Sequence, residues 1–295
     1  MPEKAKNKII TIVGPTACGK TSLAVKLAKI FNGEIVSADS RQVYKGMDIG
    51  TGKDLNEYGK VPYHLIDVVS PKKQYSLASF QYDAYTAIDD ILKRKKLPII
   101  VGGTGLYVNA ITKGYELSKA KPNKELRNIL SKKSLKELQS LIKKYKLKVN
   151  ESDFKNKRRL ERLIEIYKTE KDFKPKSKPR YNTLIIGIKY PKDIIDKRID
   201  QRLIERLEKE GMIKEVKKLL KNEVTYKRLE DFGLEYKYVS YYLKNKITYN
   251  ELIAKLSIAI HQFAKRQLTW FKRNQQIKWI KNISEAKKLI KGFLK

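Results

Sequence analysis

An α/β fold, a parallel sheet with flanking helices interrupted by a helical insertion, is predicted by three features of the chain. Short apolar runs alternate with helical patterns through the first third, a glycine-bearing loop joins the first run to the first helix, and glycine all but vanishes over a Lys-rich middle segment. Ile9 to Val13, Glu34 to Ala38 and Leu97 to Val101 are short apolar runs bounded by turn residues and predict strands; Ser22 to Phe31 and Ser76 to Arg94 predict the helices between them. This rhythm implies a sheet covered on both faces, and such sheets take ligands beyond the carboxyl ends of their strands. From about Tyr115 to Pro179 apolar residues recur at helical spacing (Leu126, Leu130; Leu135, Leu138, Ile142; Leu160, Ile164), predicting the insertion. Pro175, Pro179 and the lysines between them predict a linker. Beyond it, Thr183 to Lys189 predicts a strand, Asp193 to Leu220 one long helix, and Glu235 to Leu243 and Tyr249 to Arg273 two more. The domain bounds expected are 1–115 with 180–295 as the core and 116–179 as the insertion.

Gly14-Pro15-Thr16-Ala17-Cys18-Gly19-Lys20-Thr21, set between predicted strand and helix, has the spacing of a phosphate-binding loop and makes the core P-loop NTPase-like. The glycines let backbone N–H groups close round phosphate oxygens, and the helix N-terminus adds its positive dipole end. Lys20 supplies a point charge, and the Thr21 hydroxyl is a ligand for Mg²⁺. Gly14, Thr16, Ala17, Cys18, Gly19, Lys20 and Thr21 thus form a candidate diphosphate site. The loop amides and Lys20 favour the Cys18 thiolate; the plainer reading is a small residue that fits the loop.

Lys and Arg number 66 against 32 Asp and Glu, a formal net charge of +34. That excess points to a polyanionic partner, nucleic acid first. A codon bias would inflate lysine as well, so clusters such as Arg158, Arg159 and Arg162 carry more weight than the total. A single cysteine excludes an intrachain disulfide. Met1 to Lys8 is charged, and no run of about 18 apolar residues is present to span a bilayer. The expectation is a soluble, cytoplasmic chain that does not engage a membrane.

NTPases of this class carry an acid at the end of another apolar strand, where it holds Mg²⁺ through water. Here the third strand ends in Gly102-Gly103-Thr104-Gly105, and the acid follows the second strand, as Asp39 in Asp39-Ser40-Arg41-Gln42. Asp39 is either a general base opposite the phosphate loop or a structural cap.

The phosphate loop, Ser37 to Thr51 (Ser-Ala-Asp-Ser-Arg-Gln-Val-Tyr-Lys-Gly-Met-Asp-Ile-Gly-Thr), His64-Leu65-Ile66-Asp67, Gly102 to Tyr107 and Ala264-Lys265-Arg266-Gln267-Leu268-Thr269-Trp270-Phe271 occur in one order across nearly the whole chain. Together they resemble the tRNA dimethylallyltransferase family. The resemblance implies transfer of a dimethylallyl group from dimethylallyl diphosphate to N6 of adenosine 37 in the anticodon stem-loop of tRNAs reading codons that begin with U, by a monomer using Mg²⁺. It implies Asp39, Thr104 and Lys20 as the catalytic set, with Thr104 orienting the amine or merely closing a turn. Either Arg198 or Arg202, spaced i,i+4 on one helix face, is implied on the diphosphate. Asp39, Ser40, Arg41, Gln42, Thr104, Arg158, Arg159, Arg162, Lys265, Arg266 and Gln267 are implied at the tRNA. Trp270 and Phe271 are expected in the core, and His64 and His261 as hydrogen-bonded structural residues.

Three segments depart from the family pattern. Asn150-Glu151-Ser152-Asp153 stands for Asn-Pro-x-Asp, Gly187-Ile188-Lys189-Tyr190-Pro191-Lys192 for Gly-Leu-x-x-Asp-Arg, and Gly233-Leu234-Glu235-Tyr236-Lys237 for Gly-Tyr-Lys-Glu. The alternatives from the residues alone are a small-molecule or nucleoside kinase holding ATP in the same loop, a prenyltransferase of free adenine nucleotides, and a non-catalytic RNA-binding protein. The Gly-Gly-Thr-Gly strand end, the charge and the lysines of Lys119 to Lys178 count against the first two; Lys20, Thr21 and Asp39 would be idle in the third.

Overall fold

The computed structural model describes residues 7–171, 173–174 and 176–295, so Pro175 of the expected linker lies outside the described residues. The chain divides into two compact units, 1–114 with 179–295, and 115–178.

The larger unit starts with β1 (Lys8–Val13), α1 (Lys20–Phe31), β2 (Gly33–Ser37), a short β3 (Tyr63–His64), α2 (Leu77–Lys93), β4 (Leu97–Gly102) and α3 (Gly105–Thr112). All strand pairings are parallel, and β1 pairs with β4 in the register Ile10↔Ile99. Alternate strand residues face opposite sides. Ile10, Ile12, Ile35, Ile99 and Ile186 join one core with Ala24, Leu27 and Ala28 of α1. Ile9, Val13, Val36, Ile100 and Ile185 join the other with Phe80, Ala84, Ile88 and Ile91 of α2 and Tyr107, Val108 and Ile111 of α3. Both faces are covered, as the near-continuous apolar strands require.

The smaller unit holds α4 (Lys124–Ser131), α5 (Leu135–Lys144), α6 (Glu151–Phe154) and α7 (Lys157–Thr169) around Leu130, Leu138, Ile142, Leu160 and Ile164. Its buried carboxylate, Glu165, accepts bonds from Asn123 N at 2.7 Å, from Arg127 Nε and Nη2 at 2.8 Å each, and from Arg162 Nη1 at 2.5 Å. Burial pushes its pKa up, but the bonds from Arg127, Arg162 and the amide outweigh that and hold it down at about 2.

The chain returns to the larger unit as β5 (Asn182–Ile188), α8 (Lys192–Glu205), α9 (Met212–Lys221), α10 (Tyr226–Phe232), α11 (Leu234–Leu243), α12 (Tyr249–Lys272), β6 (Lys278–Ile280) and α13 (Ile283–Leu294). The strand order is β3-β2-β4-β1-β5-β6. The single helix expected over Asp193 to Leu220 is two: α8 widens into a π-helical turn at Arg206–Glu210 and stops at Gly211, whose φ of 86° ends the helical path. β3, β6, α10 and α13 have no counterpart in the sequence reading, because each is short or lacks distinct bounding turns.

Candidate active site at the strand ends

The ends of β1, β2 and β4 meet at one place. After β1 the loop turns through Ala17 and Gly19, with φ of 60° and 77°, and α1 begins directly at Lys20. Its first-turn amides and positive dipole end therefore face the loop's concavity. Lys20 Nζ folds back over the loop and donates to Pro15 O at 2.6 Å. Cys18 is buried, and burial raises its pKa above the ordinary thiol value against the pull of Lys20 and Arg198. The expectation of a favoured thiolate is thereby corrected: desolvation wins, and Cys18 is the small buried residue the loop needs.

Gln267 of α12 ties the loop to the end of β4. Its Oε1 accepts from Thr16 N at 2.8 Å and its Nε2 donates to Gly103 O at 2.9 Å. The approach is so close that a Cβ on Gly103 would lie 2.3 Å from Nε2. Lys265 and Arg266 are exposed, whereas Gln267, expected with them at the tRNA, is 7 % exposed and gives its side-chain amide to these two bonds. The expectation of Trp270 in the core is corrected: the residue is 37 % exposed, its indole covering Gly105, while Phe271 is buried.

The β2 end carries Asp39, half-buried, with Oδ1 accepting from Arg41 N at 2.9 Å. Thr104 closes the gap from β4: its Oγ1 accepts from Ser40 N at 3.1 Å and donates to Ser40 Oγ at 3.3 Å. Asp39, Thr104 and the phosphate loop thus border one site. Gln42 is spent within its own segment, accepting from Ser37 Oγ at 2.9 Å and donating to Gly52 O at 3.0 Å, so its side chain braces the loop rather than standing free. Arg41 reaches Glu235 at 3.5 Å.

Of the two arginines sequence could not separate, Arg202 lines a narrow cleft with Thr16 and Ala17. Most of the cleft's remaining lining is apolar, including Ile199, Leu203, Met212 and Leu256. Arg198 lies over Tyr190 at 4.5 Å and bears electrostatically on Cys18. Arg206 completes the row and also lines the cleft, 3.8 Å from Glu235. The i, i+4, i+8 spacing of Arg198, Arg202 and Arg206 was the signal that could have found it.

Four further residues had no recognisable signal. Buried Lys53 donates to Tyr44 O at 2.8 Å and to Asp48 and Asp67 at 2.5 Å each, holding the segment after Asp39. Glu215 accepts from the amides of Asp48, Ile49 and Gly50 at 2.8, 2.7 and 3.2 Å. Tyr58, buried, has its phenol bonded to Thr21 and its pKa pushed up, by burial first and then by Asp54 and Glu57. Glu235 stands in the cleft wall between two arginines.

In the smaller unit, described by itself, Arg159 pairs with Asp153, and Arg162 with Glu165 and Ala120 O. Arg162, expected at the tRNA, gives its guanidinium to that unit's network while 36 % of its side chain stays exposed. His64 bonds Glu34 at 2.8 Å, and His261 bonds Asp196 and Asp200 at 2.9 and 2.8 Å, as expected of structural histidines. Among the described residues no group of three or more His, Cys, Asp or Glu side chains could hold a metal, and no helix is long and apolar enough to cross a membrane.

The IPP transferase family model matches residues 42–274, and the isopentenyl transferase model residues 7–60. The chain is 48 % identical over 287 residues to tRNA dimethylallyltransferase 2 of Treponema denticola, covering 93 % of this chain and 96 % of that one. It is similar to the crystal structure of the tRNA isopentenylpyrophosphate transferase of Bacillus halodurans, with a TM-score of 0.75 and 36 % identity over 98 % and 97 % of the two chains. A eukaryotic dimethylallyltransferase described as acting on tRNA gives a TM-score of 0.77 and 27 % identity, over 93 % of this chain and 74 % of that one.

Proposed function

The chain belongs to the tRNA dimethylallyltransferase family and is a prenyltransferase acting on tRNA, and from that premise we propose the roles of its residues. The donor is dimethylallyl diphosphate and the acceptor N6 of adenosine 37 in tRNAs reading codons that begin with U. The observation that carries the proposal is the single strand-end site bordered by Asp39, Thr104 and the phosphate loop, joined through Gln267 and Ser40.

The diphosphate takes the loop amides of Gly14 to Thr21 and Lys20, with Arg202 and Arg206 beside it in the cleft wall and Arg198 farther along the same helix face. The apolar walls of that cleft suit the dimethylallyl group. An exocyclic adenine amine is a weak nucleophile because its lone pair is delocalised into the ring, so its proton must be taken as the new bond forms. Asp39 accepts that proton as N6 bonds to the allylic C1 and the C1–O bond breaks, its electron pair leaving on diphosphate. Thr104 orients the amine, and the loop stabilises the charge growing on the leaving group.

Thr21, in the first turn of α1, has the hydroxyl that phosphate loops offer to Mg²⁺; the rest of the coordination would come from phosphate and water. Mg²⁺ would supply charge neutralisation at the leaving diphosphate.

Ser40, Arg41, Lys265, Arg266, Arg158 and Arg159 are assigned to the tRNA anticodon stem-loop. Gln42, Gln267 and Arg162 are assigned to holding the protein's own framework. The test is transfer of labelled dimethylallyl diphosphate to unmodified tRNA containing A36-A37-A38, beside AMP and ATP controls. Label in tRNA alone supports the proposal; label in AMP, or ATP turnover without prenyl transfer, refutes it.

A further inference from the structure

A groove on the larger unit, outside the strand-end site, is lined by Lys45, Lys72 and Lys218 with Ser70 and Asn222, and holds about 850 Å³ of space not filled by atoms. Its lysines come from three separate segments, each braced. Lys45 N donates to Val69 O at 2.9 Å beside the Tyr44↔Val69 bridge. The segment carrying Lys72 is gripped by Arg228, which donates to Pro71 O at 2.8 Å and Lys73 O at 2.7 Å while its guanidinium lies 4.3 Å from the Phe232 ring centre. Lys218 rides on α9 one turn beyond Glu215, whose carboxylate holds the amides of Asp48, Ile49 and Gly50.

Folding gains nothing from this convergence. Three like charges repel, and the one recorded partner, Glu223 at 2.6 Å from Lys72, forms an exposed pair of the kind that contributes little. Pro71, Leu219 and Val224 share the groove's lining, and the three exposed lysines within it offer positive charge to a polyanion. The groove also adjoins the reaction site in sequence: six residues separate Lys45 from Asp39, a backbone reach of at most about 21 Å.

We infer that the Lys45–Lys72–Lys218 groove binds the ribose–phosphate backbone of the tRNA beside the nucleotides presented to Asp39. The inference rests on the proposed tRNA substrate. The occupant is RNA backbone rather than a small anion because the groove is open and because Lys45 follows closely in the chain on Ser40 and Arg41, which are assigned to the same tRNA.

The experiment compares the full chain with Lys45→Gln/Lys72→Gln/Lys218→Gln, measuring the affinity of unmodified tRNA from about 0.05 to 0.4 M KCl, a range over which counterion release is read as a slope. All three side chains are exposed, so the variant should fold, and a thermal melt checks that it does. The expected result is a salt slope shallower by roughly two to three and an affinity weaker by about 10- to 100-fold, as losing up to three phosphate contacts demands. The KM for dimethylallyl diphosphate should not move, and the triple Lys→Arg variant should retain the wild-type slope. An unchanged slope in a variant of a wild type that still prenylates tRNA overturns the groove alone. A wild type that neither binds nor modifies tRNA overturns the groove and the proposed substrate together. Saturable binding of inorganic pyrophosphate that the triple Gln variant loses, with tRNA binding unaltered, makes this a small-anion site and likewise overturns the inference.

Discussion

Replacing Gln267 with Leu tests whether this residue serves the phosphate loop or the RNA. The substitution keeps most of the side chain's volume but removes both of its bonds, leaving Thr16 N–H and Gly103 C=O without their partner in a place where Gln267 is 7 % exposed. A buried polar group deprived of its partner costs about 1–3 kcal/mol, so two cost about 2–6 kcal/mol if no water enters. For a folding unit of this size that is a fall in Tm of roughly 4–24 °C. The loop, no longer tied to the end of β4, should also hold the diphosphate less well, raising the donor KM while leaving the affinity for tRNA near wild type. Urea denaturation gives the stability change, and steady-state kinetics with each substrate varied in turn gives the rest. A stability change under about 0.5 kcal/mol, the range of an ordinary surface substitution, with unaltered donor KM and weakened tRNA binding would refute the reasoning and return Gln267 to the RNA face.

Asp39→Asn should lower the transfer rate by about 10²- to 10⁴-fold, the usual worth of a general base, while tRNA affinity measured by filter binding stays within a few-fold of wild type. Lys20→Ala should raise the KM for the donor and lower kcat, since its charge faces both bound and leaving diphosphate; identical kinetics in a donor titration would remove it from the mechanism. Glu165 has a folded pKa near 2, below the ordinary carboxylate value, so its stabilising contribution is fully present above about pH 4.3 and is lost as pH falls through that value toward 2. Acid titration followed by a probe in the 115–178 unit should therefore show loss of structure in that window. Glu165→Gln should lower that unit's stability at pH 7 by about 1–3 kcal/mol, because the charge-assisted bonds from Arg127 and Arg162 weaken while those part-exposed guanidinium groups stay solvated, and should flatten this acid response.

How much could be read in advance depended on separation along the chain. The parallel sheet, the phosphate loop, Asp39 at the end of β2 and the helical character of the insertion were legible because each is written in consecutive residues: short continuous apolar runs, apolar residues at period 3.6, or a fixed spacing of glycines and lysine. The long α8 was misjudged because the apolar spacing continues past Gly211, while the break lies in one backbone angle. The thiolate expectation for Cys18 weighed its sequence neighbours and had no measure of its burial.

The amino-acid sequence by itself determined the class of fold, the phosphate loop, the acid that follows the second strand and the family, because these depend on local geometry and on motif order. Only the tertiary structure decided which side chains join those parts. Gln267 meets Thr16 across 251 residues and Gly103 across 164. Arg202 lines a cleft with Thr16 and Ala17 while Arg198 bears on Cys18, and Lys45, Lys72 and Lys218 share a groove only because three segments fold together. A hydrogen bond or a cluster of charges acts over a few ångströms of space, and for residues far apart in the chain that proximity exists only once the core has packed.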